Sequence, residues 1–188
     1  MLSEKFSQVL DKPLAPIAGA LSLNPNTVTI LGMIIISSSA FIIPVNLFLG
    51  GLVILLGGAF DLLDGIIARI NKRKTKFGAF LDSSLDRMGD GFIFFGLCWY
   101  FINQEHHLAL GVTILGLIAS LVISYVRARA ESLGTTCSVG IIERPERLIL
   151  IAFGCLTHLI WPVMIVLTFL SWITILQRIL HVRKKLAD

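Results

Sequence analysis

Residues 60–91 read FDLLDGIIARINKRKTKFGAFLDSSLDRMGDG, and the rest of the chain is organised around them. A basic run, Asn71-Lys72-Arg73-Lys74-Thr75-Lys76, separates two segments that each carry paired aspartates, Asp61 and Asp64 before it, Asp82 and Asp86 after it. Further out the sequence turns apolar on both sides, with no charged residue in 47–60 or 91–101. A chain that leaves an apolar medium, turns through a cluster of cations and re-enters describes a transmembrane hairpin with its turn on the cation-rich side.

Composition agrees. Of the 188 residues, 55% are hydrophobic and 15% charged, with a mean hydropathy of +0.85. Soluble domains carry about 25% charged residues, so this chain cannot coat a water-facing surface. A soluble globular enzyme, a disordered chain and a disulfide-stapled secreted domain are all excluded. At about 20 apolar residues per span, the length accommodates six or seven helices with short loops and no separate soluble domain. Cys98, Cys137 and Cys155 are odd in number and scattered, without metal-type spacing, and read as small core residues. The N-terminus lacks the charged region and uninterrupted apolar core of a signal peptide.

Leu2, Phe6, Val9, Leu10, Leu14 and Ile17 recur near helical spacing with Lys5, Asp11 and Lys12 between them. This predicts an amphipathic interfacial helix over residues 1–22. A first span, about 27–43, opens at Pro25-Asn26 and ends at Pro44-Val45-Asn46. The second runs from Leu47 into Phe60, the third covers about 77–101, and the fourth about 108–130. Residues 148–176 are nearly all apolar and too long for one span. His158 and Trp161-Pro162 mark the expected turn between a fifth and a sixth, since proline breaks helices and tryptophan favours the interface. Six spans place all 16 Lys and Arg on one side, and the opposite loops carry none. The expectation is an all-α integral membrane protein: one domain over 1–188, with a six-helix bundle over 24–182. Both termini and the active site would face the cytoplasm, in the cytoplasmic membrane.

Asp61 and Asp64 stand i,i+3 on one helix and Asp82 and Asp86 i,i+4 on the next, so each pair shares a face. The two helices are expected to be antiparallel neighbours joined by a short loop, so the pairs can face each other near the cytoplasmic end. Two like charges ~4 Å apart repel by roughly 4 kcal/mol at an effective dielectric near 20. A divalent cation relieves that repulsion while every carboxylate stays ionised. Oxygen-only ligands favour hard ions such as Mg²⁺, Mn²⁺ or Ca²⁺, and four carboxylates in two pairs suffice for two ions. Gly65 and Gly78 remove side chains where a ligand would approach, Ala68 is small on the same side, and Arg69 offers a planar fork for phosphate oxygens. Carboxylates, dications, small residues and an arginine together suit a bound diphosphate. A divalent-cation channel or transporter also uses intramembrane carboxylates, but places them near the midplane on broken or repeated helices. Here they sit in one hairpin with no second copy.

Asp61-x-x-Asp64-Gly65-x-x-Ala68-Arg69, eight residues, then Gly78-x-x-x-Asp82-x-x-x-Asp86 resembles the complete signature of the CDP-alcohol phosphotransferase family. The resemblance implies transfer of a phosphatidyl-type group from a CDP-linked lipid, CDP-diacylglycerol or CDP-archaeol, to an alcohol, with release of CMP. It implies that Asp61, Asp64, Asp82 and Asp86 ligate two Mg²⁺ or Mn²⁺ ions and that Asp86 is also the general base. The CDP-lipid would contact Gly65, Ala68, Arg69, Thr75 and Gly78, together with Asn24, Pro25, Asn26 and Thr27 at the entry to the first span. It further implies a homodimer and no nucleic-acid partner.

Arg127, Arg129, Arg144 and Arg147 flank the loop between the fourth and fifth spans, and Arg178 ends the sixth. Serine or choline gains little from several guanidiniums, whereas an acceptor with its own phosphate gains much. SYVRARAESLG and GIIERPERL resemble the branch of the family that uses inositol 1-phosphate. That resemblance implies an acceptor-phosphate pocket of Arg127, Arg144 and Arg178. Glycerol 3-phosphate is the alternative acceptor. Asp90 extends the Asp82/Asp86 stripe by one turn, and the sequence leaves open whether it binds acceptor hydroxyls or pairs with an arginine.

Overall fold

A computed structural model describes residues 24–70 and 75–187. Those residues form six helices: α1 (Pro25–Ile42), α2 (Leu47–Ile70), α3 (Lys76–Asn103), α4 (His107–Ser132), α5 (Arg144–Leu156) and α6 (Ile160–Leu186). The interfacial helix expected over 1–22 and most of the basic turn, residues 71–74, lie outside the described residues.

Local chemistry sets the helix starts. Asn24 caps α1, its side chain accepting from the Asn26 backbone N–H, with Pro25 in the first turn. Thr75 caps α3 by accepting from the Gly78 N–H at 2.9 Å. His106 caps α4 through Nδ1. Glu143 and Glu146 form a capping box around Arg144-Pro145 at the start of α5. The turn into α6 falls on His158, which takes a positive φ of 58°. Trp161 and Pro162 lie inside the first turn of α6 instead of marking the turn. Proline fits there because the first-turn N–H groups have no intrahelical acceptor.

The closely packed helix pairs are α1 with α2 and α3, α3 with α4, α4 with α6, α6 with α5, and α5 with α2. Together they close a ring of six. The pair α2 and α3 is not among them, which corrects the expected direct packing of the aspartate-bearing helices. Both pack instead on α1, whose small and slender residues admit them. A Cβ on Gly96 of α3 would stand 3.0 Å from the Ala40 Cα and the Ser39 carbonyl of α1, so that crossing is closed by backbone against backbone. The space left between α2 and α3 is where the aspartates meet.

The polarity of the bundle is inverted relative to a soluble protein. Phe41, Phe80 and Phe169 are each more than 60% exposed, whereas Asp64, Asp90, Arg147 and Arg178 are buried. Among the described residues, four helices are long and apolar enough to cross a membrane: Pro25–Ile42, Leu47–Arg69, His107–Ser132 and Ile160–Leu186. Helix α3 has the length, but Asp82, Asp86, Arg87 and Asp90 lower its hydropathy. Helix α5 has 13 residues, about 20 Å at ~1.5 Å per residue, against a hydrocarbon core of about 30 Å. The apolar core between the helices runs through Ile36, Ile54, Phe94, Leu97, Ile151 and Met164.

Candidate active site

The starts of α1, α3 and α5 and the ends of α2, α4 and α6 lie at one end of the ring, and they bring the chemistry-bearing residues together there. Carboxylate oxygens of Asp61, Asp82 and Asp86 lie within 4.8 Å of one another. Asp64 stands outside this trio, 6% exposed on the α1 side, and its Oδ2 has no hydrogen-bond partner among the described residues.

Three cavities converge on these carboxylates, and Asp82 lines all three. The first, about 290 Å³, lies between α1, α2 and α3 and holds seven of the nine residues expected to bind the nucleotide. These are Pro25 and Asn26; Gly65, Ala68 and Arg69; and Thr75 and Gly78. Asn24 is spent on its cap, and Thr27 is exposed outside the lining. Thr29, one turn inside α1, also lines the pocket beside Asp64. A Cβ on Gly65 would meet only Arg69 Nη1, at 3.4 Å, so this position faces open cavity. At Gly78 a Cβ would come within 3.1 Å of Asn26 Oδ1, so glycine is what lets α1 and α3 close around the pocket.

The second cavity, about 370 Å³, is an apolar groove between α2 and α5, walled by Ile54, Leu55, Gly58, Leu148 and Ile149. Asp61, Asp82, Asp86 and Arg144 close its end. The third is the largest, about 500 Å³, and its wall carries five arginines: Arg87, Arg127, Arg144, Arg147 and Arg178. All three arginines expected to bind an acceptor phosphate therefore face one cavity, which Asp82 and Asp86 border.

Within that wall the arginines differ. Arg144 ion-pairs with Asp61, with Asp86 at 2.8 Å and with Asp90 at 3.3 Å. Arg127 is half-exposed and pairs with Glu131 at 3.0 Å. Arg178 is buried and donates to the carbonyls of Val139 and Ile123, at 2.9 and 2.8 Å, and to Glu143 at 3.3 Å. Three of its five N–H groups thus hold α4, at Ile123, and the α4–α5 connection, at Val139 and Glu143, to α6. Asp90, left open by the sequence, pairs with arginines: it is 3% exposed and accepts from Arg144, Arg147 and Ser120. Arg147, one of the four arginines that flank the α4–α5 loop in the sequence, and Ser120 stand outside the pocket that the family resemblance implies, yet both meet Asp90. Arg147 stands i+3 from Arg144, the one signal that places both on the same face of α5.

The profile of the CDP-alcohol phosphatidyltransferase family matches residues 22–181. The chain belongs to this family. As a CDP-alcohol phosphatidyltransferase it is 39% identical over 189 residues to the archaetidylinositol phosphate synthase of Methanothermobacter thermautotrophicus, covering 97% of this chain and 94% of the relative. A crystal structure of the Mycobacterium tuberculosis phosphatidylinositol phosphate synthase with CDP-DAG bound is similar at a TM-score of 0.80 and 34% identity, over 95% of this chain and 94% of that one. The same mycobacterial protein in complex with manganese and citrate gives a TM-score of 0.80 and 34% identity, over 94% and 88% of the two chains. Family membership and the apolar helices make this phosphatidyltransferase an integral membrane protein. Its donor set fits a divalent cation: all oxygen, three carboxylates gathered within 4.8 Å, and a fourth, Asp64, with a buried oxygen lacking a partner among the described residues.

Proposed function

We propose that this protein transfers the phosphatidyl-type group of a CDP-linked lipid to the hydroxyl of inositol 1-phosphate and releases CMP. The observation that carries the reading is the convergence of three cavities of different chemistry on one carboxylate cluster. A small polar pocket suits the cytidine diphosphate, an apolar groove the lipid chains, and an arginine-walled cavity an acceptor that brings its own phosphate. The names of the relatives support inositol phosphate as that acceptor.

In this reading Asp61, Asp64, Asp82 and Asp86 hold two Mg²⁺ or Mn²⁺ ions, which when bound neutralise the diphosphate and favour departure of CMP. Arg69 holds the diphosphate by its fork, Gly65 leaves room for it, and Ala68, Thr75, Gly78, Pro25 and Asn26 enclose the nucleotide. Arg127, Arg144 and Arg178 hold the acceptor phosphate so that its hydroxyl meets the phosphorus beside Asp86. A carboxylate oxygen of Asp86 takes the hydroxyl proton as the oxygen attacks.

All six helices cross the membrane, with the site at its cytoplasmic boundary, so lipid tails stay in the bilayer while the polar acceptor arrives from water. Basic residues confined to the loops and helix ends of one side support that orientation. The shortness of α5 requires the bilayer or the flanking segments to adapt there. The family resemblance supports a homodimer.

The test is CMP release by purified protein supplied with a CDP-lipid and inositol 1-phosphate. Release is expected with Mg²⁺ or Mn²⁺ and none after chelation. Release with glycerol 3-phosphate but not with inositol 1-phosphate would replace the acceptor and leave the reaction type standing.

A further inference from the structure

Arg147 is 2% exposed, yet it belongs to the wall of the 500 Å³ arginine-lined cavity. Its Nη2 donates to Asp90 Oδ2 at 2.9 Å, while its Nη1 has no hydrogen-bond partner among the described residues. An ionised guanidinium buried this deeply is stabilised only by its partners, and an unfilled donor on it costs free energy until an acceptor arrives. Here the wall is basic, so the acceptor that suits it is an anion.

Asp90 is what fixes this guanidinium. It lies one helical turn beyond Asp86 on α3, is 3% exposed, and forms no part of the lining of that cavity. Its Oδ2 accepts from Ser120 of α4 at 2.9 Å as well as from Arg147, and its Oδ1 accepts from Arg144 Nε at 3.3 Å. One carboxylate anchored on two helices thereby ties down two guanidiniums of a third. Arg144 and Arg147 are three residues apart on α5, so fixing both sets their planes relative to each other and to Asp86.

We infer that Arg147 is a phosphate-binding residue of the acceptor cavity, and that Asp90, with Ser120, is the positioning residue that aligns Arg147 and Arg144 for it. The inference rests on the proposed function in taking the cavity as the acceptor's. Arg147 supplies Nη1 to a terminal oxygen of the acceptor's phosphate, and Asp90 supplies the fixed counter-charge that lets two arginines stand side by side. Neither residue meets the nucleotide pocket, so both act on acceptor affinity and not on the CDP-lipid.

The test uses the full-length protein in detergent: wild type, Arg147→Ala, Arg147→Lys, Asp90→Asn and Ser120→Ala. Two quantities are measured: the KM for inositol 1-phosphate at saturating CDP-lipid, and the Kd for inorganic phosphate by calorimetry. Arg147→Ala is expected to raise both at least tenfold while the KM for CDP-lipid stays within twofold, with Arg147→Lys recovering part of the loss. Asp90→Asn is expected to raise the acceptor KM about fivefold or more, and Ser120→Ala to raise it less in the same direction. Unchanged phosphate binding in Arg147→Ala overturns the assignment of Arg147. Equal losses for both substrates in Asp90→Asn and Ser120→Ala overturn the positioning role and leave a merely structural one. If wild-type protein releases no CMP with inositol 1-phosphate, the proposed function fails, and the phosphate calorimetry still decides Arg147.

Discussion

Arg144 Nη1 lies 2.8 Å from Asp86 Oδ1, joining the first residue of α5 to the carboxylate that borders both the apolar groove and the arginine-walled cavity. A cation expected to grip the acceptor is thus in contact with the group expected to take the acceptor's proton. The spacing makes Arg144 a bridge between binding and chemistry.

Arg144→Ala is expected to act chiefly on the acceptor. A charge-assisted hydrogen bond contributes about 1.5–3 kcal/mol, and ~1.4 kcal/mol corresponds to a factor of ten. The acceptor KM should rise at least tenfold, with a smaller fall in kcat, in steady-state CMP release. An unchanged acceptor KM would reduce Arg144 to a counter-ion of the aspartates.

Asp86→Asn keeps the shape of the side chain and removes its capacity to take a proton. General-base catalysis contributes roughly 10²–10⁴-fold, so kcat should fall by about three orders of magnitude while CDP-lipid still binds. Single-turnover CMP release together with a CDP-lipid binding isotherm separates the two effects. Near-normal turnover removes Asp86 from the role of base.

Gly65→Leu tests the nucleotide pocket by volume. A Cβ there makes only ordinary contact with Arg69, at 3.4 Å, so the backbone tolerates it, but the rest of a leucine fills part of a 290 Å³ pocket. The variant should unfold at the wild-type temperature and lose CDP-lipid binding. Wild-type CDP-lipid affinity would move the nucleotide elsewhere.

Arg178→Met separates architecture from binding. The substitution frees the carbonyls of Val139 and Ile123 and leaves Glu143 without this partner. Breaking a buried charged arrangement costs about 3 kcal/mol, so thermal unfolding in detergent should occur at a clearly lower temperature. A raised acceptor KM is expected beside the lower unfolding temperature, and an unaltered unfolding temperature would remove the strut role and leave Arg178 a ligand alone.

The deepest layers of this protein are legible in its residues. Charge-free runs on either side of the aspartate hairpin, cations confined to one side of the bundle and the Pro25-Asn26 entry to the first helix act locally, so they can be read one segment at a time, whereas the Glu143–Glu146 capping box that starts α5 at Arg144 went unread. The helix starts follow those signals, and seven of the nine expected nucleotide residues line one pocket because they sit on helix ends whose register is fixed by spacing. Pro162 misled for a related reason: proline stops a helix only from its interior, and nothing local tells a first turn from a middle one.

What the linear order could not specify is which helix touches which. The sequence alone determined an all-helical chain with acidic pairs at its cation-rich end, because hydropathy, charge and helical periodicity are properties of short windows. Only the tertiary structure inserted α1 between α2 and α3, closed the ring through α5, and brought Asp90 to Arg147 across 57 residues and Asp61 to Arg144 across 83. Those encounters depend on backbone-close crossings such as Gly96 on Ala40. Such crossings are choices among surfaces of similar apolarity, and lipid tails impose no preference between them.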